Sequence, residues 1–291
     1  MTTIAFLGTG LMGTGFIQRA RANGLTVRAW NRSAAKAQAL AANDAAGVTA
    51  CATVAEAVRG AERIHLSLAD DASVDAVLEP LAGALPAGAW VVDHTTTAVR
   101  PTAERVARWS ARGVRYVHAP VFMAPANCAE GTGWMLISGD PARHQALQPA
   151  LKAMTGSLVY LGPQPERAAA FKLFGNLTLL GILGVLGDVG RLAAAVGIDM
   201  KDAFSLFEHF NPGQTLPQRA KRISAGQWDQ PSFEMSMARK DLRLMVEEAA
   251  RGGQTLAMVP ALAKLLDEGI ARGEGQLDVA AGVRVPTLNA R

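Results

Sequence analysis

Short apolar runs recur along the first half of the chain, at 4–7, 26–30, 64–68, 90–93 and 114–118, with two more at 134–138 and 158–161. Runs of this length, bounded by polar or glycine residues, are strand candidates. Between them lie alanine-rich stretches at helical spacing, such as 33–42, 71–78 and 102–112. Two stretches carry start signals: Thr53 with Glu56 forms a T-x-x-E capping box, and Pro101 sits where a first helical turn begins. Strands alternating with helices predict a parallel, doubly wound sheet covered on both faces.

The pattern changes at Gly162-Pro163-Gln164-Pro165. Beyond it the spacing predicts no strand, only helices over 166–196, 199–210, 214–224, 236–251 and 260–272, the first stopping at Gly197. Two domains are expected, an α/β half over 1–162 and an all-α half over 163–291, with a long interdomain helix between them. Residues 173–187 carry no charge, but they include Asn176, Thr178 and four glycines. A membrane span needs roughly 20 apolar residues, so no membrane partner is expected. The apolar residues Leu179, Leu180, Ile182, Leu183, Val185 and Leu186 lie on more than one face of this helix. Such a helix calls for full burial, which predicts a homodimer or homotetramer packed through the second domain.

Composition adds limits. Of 291 residues, 49% are hydrophobic and 19% charged, a globular balance that suits about two domains. The formal charge of +4 is a mild excess. Arg105, Arg108 and Arg112 recur at helical spacing and read as a solvated helix face, so no nucleic-acid partner is expected. Cys51 and Cys128 form no CxxC and are too few for a disulfide framework, which suits a reducing, cytoplasmic setting. The opening MTTIAFLG has no basic stretch ahead of its short apolar run, so no export signal is read there. His65, His144 and His209 have no ligand spacing, and no metal is expected.

The candidate chemistry begins at Gly8-Thr9-Gly10-Leu11-Met12-Gly13, a G-x-G-x-x-G between a strand and a helix. Gly8 suits a tight turn, Gly10 a close approach to a pyrophosphate, and Gly13 the packing of helix on strand. The helix start, with Leu11 and Met12, supplies N–H groups and positive dipole to phosphates. This order marks a Rossmann-type dinucleotide site; a glycine-rich turn that binds nothing is the alternative. After the second strand stand Asn31, Arg32 and Ser33, without the acid that holds an NAD ribose. Arg32 can pair with a 2′-phosphate while Asn31 and Ser33 donate hydrogen bonds, so NADP(H) is preferred over NAD(H). In the alternative, Ser33 only caps the next helix and Arg32 is solvated.

Three further clusters stand out. Asp93-His94-Thr95-Thr96-Thr97 follows a strand, where open α/β sheets bind ligands, and reads either as a ligand-facing or as a capping segment. Lys172 and Asn176 are an i, i+4 pair on an otherwise apolar helix. Lys240-Asp241-Leu242 lies in a charged helix.

Together these motifs resemble the β-hydroxyacid dehydrogenase family over nearly the whole chain. The glycine turn is similar to the family's G-x-G-x-M-G opening, and 93–97 to its D-x-S-T segment, with Thr95 and Thr96 at the Ser-Thr positions. Ala119-Pro120-Val121 is similar to the A-P-V of the substrate loop, Lys172-x-x-x-Asn176 to the catalytic lysine and asparagine, Lys240-Asp241-Leu242 to a C-terminal K-D-L, and 273–278 to a closing glycine-and-acid pattern. The resemblance implies an NADP(H)-dependent enzyme that interconverts a small aldehyde or ketone, a 3-hydroxy acid or semialdehyde included, with its alcohol. Lys172 would exchange the proton and Asn176 would orient substrate and lysine. Thr96 and Leu68 would contact cofactor, Lys240 would close its side of a cleft between the domains, and Thr95 would face substrate. An imine reductase and a non-catalytic NADPH-sensing protein are the alternatives.

The chain departs from the family in one loop. After A-P-V the family has Ser-Gly-Gly, which cradles a substrate carboxylate; here stand Phe122, Met123 and Ala124. These bulky apolar groups at the substrate position point to a more apolar carbonyl compound. Gly175 also replaces the first asparagine of a family tandem, and His118 an acid before A-P.

Overall fold

A computed structural model describes residues 2–85 and 90–284. The chain forms two compact units, Met1–Leu177 and Thr178–Arg291. In the first, β1 (Thr3–Leu7), β2 (Thr26–Trp30), β3 (Val48–Ala50), β4 (Arg63–Leu66), β5 (Trp90–Asp93) and β6 (Arg115–His118) pair in parallel, in the order β3-β2-β1-β4-β5-β6. This is the Rossmann order, whose direction reverses between β1 and β4 and opens a crevice at the strands' carboxyl ends. Alternate residues of β1 serve two cores. Ile4 and Phe6 pack with Phe16 and Ile17, while Ala5 and Leu7 pack with Ile64, Leu66 and Trp109.

The crossover helices are α1 (Leu11–Ala22), α2 (Ala34–Asn43), α3 (Val54–Val58), α4 (Asp71–Leu78) and α5 (Val99–Ala111). The capping box at Thr53 and Glu56 forms at the start of α3. Arg105 does not lie on a solvated face: it is fully buried, 2.8 Å from Asp75 and 3.0 Å from Asp71. Arg108 and Arg112 pair with Asp75 and Glu79. The acids recur every four residues along α4 and its end, opposite the arginines of α5, so the basic stripe fastens helix to helix.

The α/β half closes with a second sheet of β7 (Val121–Phe122), β8 (Trp134–Ile137) and β9 (Ser157–Tyr160), together with α6 (Pro125–Glu130) and α7 (Pro141–Lys152). β7 runs antiparallel to β8, and β8 parallel to β9. Strands as short as β3 and β7 leave no periodic signal, which is why the pattern misses them.

α8 (Arg167–Ala195) begins in the first unit and ends in the second. At 29 residues it is long and apolar enough to cross a membrane by length and composition, more than the shorter uncharged window suggests. It nevertheless carries Lys172, Asp188 and Arg191. The second unit continues with α9 (Met200–His209), α10 (Leu216–Ala225), α11 (Met235–Arg251) and α12 (Val259–Ala271). Among its described residues no strand forms, only an isolated bridge between Glu234 and Asp278. Asp188 is buried and accepts the N–H groups of Ala257 and Met258, each at 2.7 Å, and of Val259 at 3.3 Å. A side chain on α8 thereby caps α12.

Candidate cofactor and catalytic site

The glycine turn is fixed by contact. Gly8 has a φ of +101°, and a Cβ there would stand 2.3 Å from the carbonyl oxygen of Ser67. A Cβ at Gly13 would stand 2.0 Å from the Gly8 carbonyl oxygen, so helix and turn close on each other only without side chains. Gly10 has open space beside it and begins α1 with no side-chain cap. The first N–H groups of α1 are therefore available to an anion. Leu11 is 79% exposed, Met12 packs on the core, and the Thr9 hydroxyl is buried with no partner. Beside them lies a hollow of about 310 Å³ lined by Thr9, Gly10, Leu11, Thr14, Lys36 and Leu40. An uncapped helix start, open space beside Gly10 and an orphan hydroxyl fit a dinucleotide pyrophosphate.

Asn31 links this turn to the next one. Its Oδ1 accepts the Thr9 N–H at 3.0 Å, and its Nδ2 donates to the Ser33 carbonyl at 3.0 Å. The amide thereby ties the glycine turn to the turn after β2. Arg32 is exposed, and Ser33 starts α2 with no side-chain cap bond.

At the end of β5 the five residues separate in role. Thr95 is buried; its hydroxyl accepts the Leu68 N–H at 3.0 Å and its N–H binds Asp93 Oδ1 at 2.9 Å. Thr97 is buried against Thr102 and His118, whereas Thr96 is exposed. His94 bonds the Ala119 carbonyl oxygen through Nδ1 at 2.7 Å and His65 through Nε2 at 3.0 Å. Burial pulls the His94 imidazole down to about 4. Neutral rings follow: His94 Nδ1–H donates to the carbonyl, and His65 Nδ1–H donates to His94. His118, also buried, bonds the Thr95 carbonyl oxygen at 2.9 Å.

Lys172 lies in the second turn of α8. The helix start is anchored by the Ala168 N–H on Ser138 Oγ at 2.9 Å. The lysine is half-buried; Nζ donates to the Val121 carbonyl at 2.6 Å and stands 4.3 Å from the centroid of the Phe122 ring. Burial draws its ammonium below the usual 10.5. Asn176 is half-buried one turn on. Met123 Sδ accepts from the Cys128 thiol at 3.7 Å, and the Ala124 N–H is taken by Asn127 Oδ1 at 2.8 Å. Lys240 is in the second unit, exposed on α11 and paired with Asp241 at 2.9 Å.

Contacts thus join Thr9 with Asn31, Leu68 with Thr95, and Lys172 with Phe122. Two partners escape the sequence reading because they are backbone carbonyls, those of Ser67 and Val121. The contact between Phe122 and Gly175 did have a signal: a ring stands where the resemblance expects serine, and a glycine where it expects asparagine.

Residues 3–162 match the model of the NAD binding domain of 6-phosphogluconate dehydrogenase. The uncharacterized oxidoreductase YfjR of Bacillus subtilis is 26% identical over 97% of this chain and 98% of its own. The 2-(hydroxymethyl)glutarate dehydrogenase of Eubacterium barkeri is 25% identical over 97% of this chain and 94% of its own. In fold, the chain is similar to an imine reductase from Myxococcus stipitatus in complex with NADP+, with a TM-score of 0.90 at 19% identity over 97% of this chain and 98% of that one. On this evidence the chain belongs to the β-hydroxyacid dehydrogenase family and is an NAD(P)-dependent oxidoreductase.

Proposed function

We propose that this oxidoreductase interconverts small aldehydes or ketones with their alcohols, uses NADP(H) in preference to NAD(H), and works as a homodimer or homotetramer. The observation that carries the reading is the Lys172 ammonium, drawn out of water onto the Val121 carbonyl. When bound, a reduced nicotinamide supplies a hydride to the carbonyl carbon. The C=O π electrons then move to oxygen, and Lys172 Nζ–H meets that growing charge. Its proton passes to the oxygen, leaving a neutral amine that water reprotonates. Asn176, on the same helix face, orients the substrate and the lysine, and the exposed Thr96 is the threonine open to cofactor. Arg32, exposed after β2, is the cation for a 2′-phosphate.

A second reading, imine reduction, draws support from the likeness to the M. stipitatus enzyme. Lys172 separates the two. A protonated imine already carries its proton and positive charge, so a neighbouring ammonium gives it nothing and repels it. An oxygen that becomes an alkoxide needs both charge and proton.

The test is NADPH oxidation against panels of aldehydes, ketones and cyclic imines. Carbonyl turnover that falls at least about 100-fold in Lys172→Ala, with NADPH binding retained, is the expected result. Imine turnover that survives the substitution favours the second reading. NADPH binding without turnover on any panel contradicts both.

A further inference from the structure

We infer that Phe122 and Gly175 form one specificity device, which makes the Lys172 site select carbonyl compounds with an apolar substituent and reject those bearing a carboxylate. The inference rests on Lys172 as proton donor and adds the substrate class. A Cβ at position 175 would stand 2.2 Å from Phe122 Cζ and 2.5 Å from Cε1. The ring therefore occupies the volume of the missing side chain, and any other residue at 175 forces it to shift. Glycine within a helix is disfavoured relative to alanine. Making room for the ring accounts for it here.

The seated ring presents its face to the Lys172 ammonium, 4.3 Å from its centroid. An aromatic face carries negative charge density, which attracts a cation and repels a carboxylate. The rest of the loop offers no compensation. Met123 and Ala124 bring no charged or donor side chain, and the Ala124 N–H is already bonded to Asn127. A carboxylate entering here loses its water and finds Lys172, the group the carbonyl oxygen requires. An alkyl or aromatic substituent instead covers the ring.

The experiment compares 4-methylpentanal with 4-oxobutanoate, two aldehydes of the same shape that differ by an isopropyl group in place of a carboxylate. Wild-type enzyme should favour the first in kcat/KM by about 100-fold or more, as expected for a charge left unpaired in a site. Phe122→Gly should cut that ratio at least about tenfold. A parallel readout follows thermal unfolding and does not depend on turnover. Gly175→Ala should lower Tm in the wild-type background and leave it unchanged or raised in the Phe122→Gly background. An unchanged substrate ratio in Phe122→Gly, or the same Tm shift in both backgrounds, overturns the device while leaving carbonyl reduction intact. If wild-type enzyme loaded with NADPH reduces neither aldehyde but does reduce another carbonyl compound, the device alone falls; if no carbonyl is reduced, the reading beneath it falls too.

Discussion

Asn31 uses both ends of its amide inside the protein, on the Thr9 N–H and the Ser33 carbonyl, while Arg32 beside it stays exposed. Neighbours of similar polarity should therefore answer differently to truncation. On the proposed pairing with a 2′-phosphate, Arg32→Ala should weaken NADPH binding about 10–100-fold, with NADH nearly unaffected. Asn31→Ala loosens the glycine turn that both cofactors share, and should weaken NADPH and NADH by similar factors of about 3–10. Titration of each cofactor by fluorescence checks both; equal losses in Arg32→Ala contradict the phosphate pairing. The sequence made the residue types and their order legible here, because glycines, an arginine in place of an acid and a lysine on an apolar helix are chemical signals. It did not reveal that Asn31 bonds inward or that the Thr95 hydroxyl is held by the Leu68 N–H, since both depend on how separate loops approach.

Element boundaries followed the apolar pattern closely for the long elements read from it, but the 12-residue α7, which carries Pro149 in its interior, was not among them. The pattern ran out at β3, β7 and α6, which are too short to show a period. It also ran out at Arg105, whose burial depends on the acids of α4. Asp188 ties two helices of the second unit together. Burial alone would raise its carboxyl, but three backbone N–H groups and Arg191 outweigh that and hold it below the ordinary 3.8. Asp188→Ala leaves the start of α12 uncapped and should cost about 2–4 kcal/mol, read from the urea midpoint at neutral pH. A carboxyl held low contributes its full stabilisation above its unfolded value and loses it as pH falls through the folded one. The gap between wild type and variant should therefore shrink below pH ~4. A gap of the same size at both ends would contradict the capping role.

For the molecule as a whole, α8 is the feature on which the proposed assembly rests. Leu177, Leu179, Leu180, Ile182, Leu183 and Val185 are all exposed in the single chain. Exposed apolar side chains in such number suit an interaction site, and the proposed homodimer or homotetramer would take them out of water. Light scattering should give two or four times the 30.5 kDa chain; a mass near one chain contradicts that assembly. A charge such as Leu183→Glu in the middle of the row should shift the mass down. The claim on which the function turns is narrower and concerns one nitrogen. Its most direct test is the single-turnover rate of NADPH oxidation by a carbonyl substrate across pH, for wild type and Lys172→Met, each loaded with NADPH beforehand. The wild-type rate should fall as pH rises through a lysine value below the ordinary 10.5, because the proton donor is lost. The variant should be at least about 100-fold slower and lack that limb. A Lys172→Met enzyme that matches wild type in rate and pH profile would contradict the role assigned to this lysine.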